Sequence, residues 1–243
     1  MQPELYEQMR DLEDRHWWFQ GRRRIVSAML ERLDLPQPAR LLDLGCGTGG
    51  NLQMLAGFGE VTGVELDEHA AELASGRGCA PVLRGSLPDG LPAGLGPFDC
   101  VAMLDVLEHI GPDRESLQTV HGLLAPQGYL LLTVPAFEFL WGPHDQAHHH
   151  QRRYRAPALR SLLEETGFRI EKLSYYNTWL FPPAALVRLL RKVIPAGGAG
   201  AEVTLPPNWL NSLLESLFAS ERHVLKHTRF PFGISLLAVA RRE

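Results

Sequence analysis

Two groups of residues in this chain carry side chains and backbone freedom suited to chemistry. The first is Asp43-Leu-Gly45-Cys46-Gly47-Thr-Gly49-Gly50, followed by an acid, Glu65, twenty positions after Gly45. Glycines there let the backbone turn sharply and approach a ligand, and G-x-G-x-x-G at Gly45, Gly47 and Gly50 with an acid at that distance suits a nucleotide-like molecule. The amides that open the following helix would favour a negative group. The second group is the stretch 141–154, with His144, Asp145, His148, His149, His150, Arg152, Arg153 and Tyr154. Together with His109 it supplies imidazoles that exchange protons near neutrality. Consecutive histidines on one loop cannot all face one ion, and catalytic zinc takes three well-separated ligands, so no metal site is expected.

The elements that must position these residues follow from the hydrophobic pattern. Leu41, Leu42 and Leu44 suit a strand buried on both faces. Strands are expected near 40–44, 60–65, 81–84, 98–103, 128–134, 168–175 and 233–240. Helices are expected at 4–14 (Leu5, Met9 and Leu12 at helical spacing), 22–34, 50–57, 67–75, 113–124, 156–166, 180–193 and 208–226. From residue 40 onward strands and helices alternate, which implies a parallel sheet covered by helices on both faces. Ligands bind such sheets at the carboxyl ends of strands, where both groups lie.

Four segments in order, Leu41 to Leu44 with the glycine turn, Val61 to Asp67, Phe98 to His109 and Leu123 to Pro135, resemble a class I S-adenosylmethionine-dependent methyltransferase. His16-Trp17-Trp18-Phe19 with Arg22, and Trp141, Asp145, His150, Arg152, Arg153 and Tyr154, resemble segments of bacterial small-molecule members associated with sugar pathways. The resemblance implies an α/β, Rossmann-like seven-stranded mixed sheet with helices on both faces. Its last strand would be antiparallel, with a helical insertion before it. Residues 1–38 would form a helical lid, 39–175 the cofactor-binding core, 176–232 the insertion and 233–243 the final strand.

The same resemblance implies S-adenosylmethionine as cofactor and S-adenosylhomocysteine as product. Gly45, Cys46 and Gly47 would hold the methionine part, Asp43 would face its amino group and Glu65 the ribose hydroxyls. Adenine would lie between Leu66 and Gly85-Ser86-Leu87, where Ser86 replaces the family's usual acid. Leu104 and Asp105 would border the cofactor, with Phe19 in an aromatic lid. His109, His144, His150 and Tyr154 are candidates for binding or deprotonating a small-molecule acceptor, through oxygen or nitrogen. Arg152 and Arg153 would either hold an anionic acceptor or fasten the loop to carboxylates. A nicotinamide-dependent oxidoreductase and a catalytically silent cofactor-binding module remain the alternatives.

With 243 residues, 45% hydrophobic and 21% charged, the chain suits one globular domain, and a net charge of −4 gives no basic footprint for nucleic acid. Cys46, Cys79 and Cys100 form neither a disulfide framework nor metal-ligand spacing, and no leader or spanning segment is visible, so a cytoplasmic location is expected. The insertion 176–232 carries six Lys/Arg against three Asp/Glu. It suits a lid, a homodimer contact or a peripheral contact with the inner face of a membrane. Pro182 and Pro183 are expected to interrupt its first helix.

Overall fold

A computed structural model describes residues 3–193 and 204–243. Seven strands, β1 (Ala39–Leu44), β2 (Gly59–Glu65), β3 (Val82–Arg84), β4 (Phe98–Leu104), β5 (Leu124–Pro135), β6 (Phe168–Tyr176) and β7 (Ser235–Arg242), form one sheet. Their order is β3-β2-β1-β4-β5-β7-β6, with β1 to β5 parallel and β7 antiparallel to both its neighbours. This is the expected seven-stranded mixed sheet. Strand order reverses between β1 and β4, which opens a crevice at their carboxyl ends.

The helices are α1 (Pro3–Arg15), α2 (Trp17–Leu30), α3 (Leu52–Ala56), α4 (Glu68–Ser75), α5 (Asp113–Leu123), α6 (Pro143–Ala147), α7 (Ala156–Glu165), α8 (Phe181–Val193) and α9 (Asn208–Leu225). Strand side chains alternate between two cores. Leu42, Leu44, Val101, Met103, Leu130 and Leu132 face α5 and α7, while Leu41, Cys100, Ala102, Leu104 and Leu131 face α2, α3 and α9. Each such leucine removed from water contributes about 1.5–3 kcal/mol, which explains why an uninterrupted apolar run and not an alternating one marks these strands.

Three expectations change. Helix α2 starts at Trp17, five residues before the periodicity suggested. His16 sits in extended conformation and its Nδ1 accepts the Trp18 amide at 3.3 Å, so the histidine caps the helix and the aromatic run forms its first turn. Pro182 and Pro183 do not interrupt α8, because they lie in its first turn, where a missing N–H costs nothing. Residues 143–147, expected as loop, form α6. The Pro- and Gly-containing stretch 195–207 falls largely outside the described residues.

Helix α9 is part of the core. Phe218 packs so closely on Gly21 of α2 that a Cβ there would meet its ring at 2.5 Å. The same ring stacks on Tyr176 at 5.9 Å and meets Trp17 edge-on at 5.8 Å. Buried Glu221 accepts the amides of Asn177, Thr178 and Trp179 at 2.7, 2.6 and 2.9 Å, which anchors the turn leaving β6. The outer side of α9 leaves Trp209, Leu213 and Leu217 exposed at four-residue spacing. Among the described residues no helix is long and apolar enough to cross a membrane.

Candidate active site

The glycine turn leaves β1 at the crevice. Gly45, Gly47 and Gly49 adopt positive φ of 72°, 56° and 83°, a region that other residues enter with strain. A Cβ at Gly45 would stand 2.7 Å from Val106 Cγ2, so this glycine also lets the turn after β1 meet the turn after β4. Glu65 organises the turn from β2: its carboxylate accepts the Gly47 amide at 2.9 Å, Leu66 at 2.9 Å and Asp67 at 3.0 Å. Gly85 donates to the Glu65 carbonyl at 3.0 Å, bringing Ser86 beside β2, and Ser86 pairs with Gly90 across a tight turn. Leu87 packs toward the core below, whereas Leu66 is 64% exposed.

Asp43 lies beneath the turn, 1% exposed, with Oδ2 lacking a partner. Burial pushes its carboxyl up to about 7, against the pull of the Arg22 guanidinium. An orphaned carboxyl oxygen under a glycine turn is what a cationic amino group would satisfy. Cys46 is buried, and desolvation keeps its thiol protonated.

The N-terminal helices cover this half of the crevice, and their part was only half visible in the sequence. Arg22 is buried, bonds to the Leu104 carbonyl at 3.3 Å and forms an ion pair with Asp105. Its guanidinium lies 4.6 Å from the Trp18 ring and 5.7 Å from Phe19, so these aromatics flank an arginine at the end of β4. Glu13 of α1 reaches Gly47 and Gly50 and accepts from the Thr48 hydroxyl. Tyr6, one heptad earlier on the same face, bonds to Asp67. That spacing of seven was the available signal for both.

The histidine loop is held differently. Asp145, fully buried, receives Arg153 Nε at 2.8 Å and Nη2 at 3.0 Å, the Gly142 amide at 2.8 Å and His150 Nδ1 at 2.9 Å. Burial alone would raise its pKa, but the hydrogen bonds from His150 and Arg153 hold it well below the usual carboxylate range. Arg153 also donates to the Ala136 carbonyl at 3.0 Å, and Arg152 pairs with Asp113 at 2.6 Å. Both arginines therefore fasten the loop.

Tyr154 is a correction. Its side chain is buried in the core and its hydroxyl donates to Asp113 at 3.0 Å, where desolvation and that carboxylate raise its pKa strongly. The fold does bring the histidines together. His109 and His150 ring centres are 4.7 Å apart, His144 and His148 4.2 Å, and His144 and His150 5.9 Å. Gln151, absent from the expected site, joins the two loops by donating its amide to the Glu108 carbonyl at 2.8 Å and its side chain to the His109 carbonyl at 3.0 Å. Burial, with His150 alongside, pushes His109 down to about 4, so it is neutral at pH 7.

Between the two halves lies a cleft of about 560 Å³, lined on one side by Tyr6, Glu65, Leu66 and Asp67 and on the other by His109, His148 and His149. The methyltransferase domain family matches residues 15–173. The chain belongs to that family. It is 38% identical over 104 residues, 39% of this chain, to ubiquinone biosynthesis O-methyltransferase of Caulobacter sp. strain K31, spanning only 40% of that protein's length. It is 35% identical to trans-aconitate 2-methyltransferase of Variovorax paradoxus over 47% of this chain and 45% of that one. A chain of a complex containing the Haloferax volcanii Trm112 methyltransferase activator superposes with a TM-score of 0.63 at 16% identity, covering 98% of this chain and 94% of that one. An S-adenosylmethionine-dependent methyltransferase of Mesorhizobium loti gives 0.56 at 19% identity, covering 86% and 94%.

Membership of the methyltransferase family speaks against the nicotinamide alternative, and S-adenosylmethionine is the cofactor whose fit the site can be tested for. The residues fit it: the positive-φ turn, the unpartnered Asp43 oxygen and the exposed Leu66 beside Glu65 offer a cradle, a counter-charge and a flat apolar surface.

Proposed function

We propose that the chain transfers a methyl group from S-adenosylmethionine to an oxygen of a small-molecule acceptor bound between Glu65 and the histidine cluster. The observation that carries this reading is the single cleft shared by the strand-end acid and His109 and His148. When bound, the cofactor supplies a methyl on a positively charged sulfur, and the acceptor's lone pair forms the new bond as the carbon–sulfur bond breaks. Glu65 would bind the ribose hydroxyls with the capacity its backbone contacts leave, and Asp43 would face the amino group. Gly45, Cys46 and Gly47 would line the methionine end, Leu66, Gly85 and Ser86 the adenine end, and Leu104 and Asp105 the sulfur.

His109, neutral at pH 7, and His150 are placed to bind the acceptor hydroxyl, with the Asp145 carboxylate holding His150 through Nδ1. His144 stands behind them against His148. The closed α1 and α2 cover, including Phe19, would keep water from the reacting atoms. Calorimetry with S-adenosylmethionine and S-adenosylhomocysteine, followed by methyl transfer to a panel of hydroxylated acceptors, tests the reading. Binding with turnover supports it; binding without turnover on any acceptor replaces it with a silent cofactor-binding module. The partner surface of 176–232 is proposed on the exposed stripe Trp209, Leu213 and Leu217, to be checked by liposome sedimentation and light scattering.

A further inference from the structure

The least satisfied polar group in this half of the molecule is Glu108. It is fully buried, and neither carboxylate oxygen has a hydrogen-bond partner. A buried carboxyl with both oxygens unpaired is costly, and native structures keep such groups where something absent from the chain itself satisfies them. Glu108 does not stand alone: it, His109 and His150 each present a ligating atom, all within 4.8 Å of one another.

The two histidines are arranged as metal ligands are. His150 directs Nδ1 to the ionised Asp145 carboxylate at 2.9 Å, which leaves the Nε2 lone pair outward. His109 bonds through one ring nitrogen to the His148 backbone carbonyl, which frees the other. A carboxylate or carbonyl behind the imidazole fixes its tautomer and raises its basicity as a ligand. Asp145 is itself locked by the forked bond from Arg153, and the two loops are joined by Gln151 on the Glu108 and His109 carbonyls.

We propose that Glu108, His109 and His150 form a site for a divalent metal ion of the zinc class, whose open position faces the cleft and takes a hydroxyl of the acceptor. Two imidazoles and one carboxylate favour zinc or a neighbouring transition metal over magnesium, which prefers an all-oxygen shell. Ligand atoms around tetrahedral zinc are roughly 3.4 Å apart, so the side chains draw in by about 1 Å. The loop histidines alone could not do this; the site exists because the fold sets the turn after β4 against the loop after β5. A coordinated hydroxyl is acidified and releases its proton to water in the open cleft. The acceptor role rests on the methyl-transfer reading, whereas metal binding does not.

The test uses the full chain stripped with a chelator and titrated calorimetrically with Zn²⁺, and separately with Mg²⁺, alongside a titration with S-adenosylhomocysteine. One equivalent of Zn²⁺ is expected, bound far more tightly than Mg²⁺. Glu108→Gln and His109→Ala should each weaken it at least tenfold, while His149→Gln leaves it unchanged. Because His109 lines the open cleft, its variant reports even if Glu108→Gln fails to fold. Absence of stoichiometric Zn²⁺ binding, or unchanged affinity in His109→Ala, overturns the proposal. Zinc binding without S-adenosylhomocysteine binding would sink the cofactor reading and leave the metal site standing.

Discussion

Glu65, which holds the glycine turn, faces the histidine loop across one cleft, yet the turn and the loop are built on opposite principles. The turn is made of backbone: three positive-φ glycines, with the Gly47 amide held by the Glu65 carboxylate and little side chain in the way. The loop is made of side chains locked by charge, with buried Asp145 at the centre of bonds to Arg153, His150 and Gly142. A backbone cradle suits a constant ligand whose shape never varies, and a side-chain frame suits chemistry. The two halves should therefore fail differently when altered.

The largest effect is expected in the loop. Asp145→Ala leaves the buried Arg153 guanidinium without its counter-charge and should cost about 3–5 kcal/mol of stability, measured by denaturant unfolding. A loss below about 1 kcal/mol would mean that the ion pair does not hold the loop and that the contrast drawn above is wrong.

That difference also explains how much was legible in the sequence. Gly45, Gly47 and Glu65 were readable because a backbone cradle demands one residue type at fixed spacing, so local pattern and function coincide. Sheet strands were readable for the same reason, since burial on both faces leaves only apolar residues. Arg153 and Tyr154 were harder, because nothing in R-R-Y says which side chain turns inward; that is decided by Asp145 and Asp113, one of them 41 positions away. Glu108 was invisible as a ligand, since its partner His150 comes from another loop. Helix α2 was misplaced at its start because histidine is an uncommon cap, and Gly21 gave no sign that Phe218 would press upon it.

On the turn side, Gly45→Ala sharpens the comparison. The new methyl would stand 2.7 Å from Val106 on a backbone at φ 72°, and strain plus overpacking should cost about 2–4 kcal/mol. Circular dichroism melts with and without S-adenosylhomocysteine would show it, and the ligand should rescue little. Full rescue would mean that the glycine serves the ligand and not the packing of the two turns.

Glu65→Gln should be smaller still in stability and larger in binding. The amide side chain keeps one acceptor oxygen and sets its NH2 against the backbone amides that the other oxygen held, so stability should fall by about 1 kcal/mol while affinity for S-adenosylhomocysteine falls about 10- to 100-fold. Calorimetry and a thermal melt on the same sample separate the two. A large fall in melting temperature with unchanged affinity would assign Glu65 to the turn alone.

The smallest effect is the most specific. Asp43 titrates at about 7 in the folded chain against an ordinary 3.8, because burial disfavours its charge. A carboxyl raised in this way holds its proton in the folded state after the unfolded chain has lost it. Its contribution to stability is therefore complete below pH 3.8 and is lost as pH rises towards 7. Bringing a cationic amino group against Asp43 favours the ionised form, so cofactor binding near pH 7 should expel up to about half a proton. Titrations in buffers of different ionisation enthalpy would reveal that proton as a buffer-dependent heat, and Asp43→Asn should abolish the dependence. Heats identical in every buffer would place the amino group elsewhere, and the orphaned Asp43 oxygen would then belong to the architecture of the turn and not to recognition.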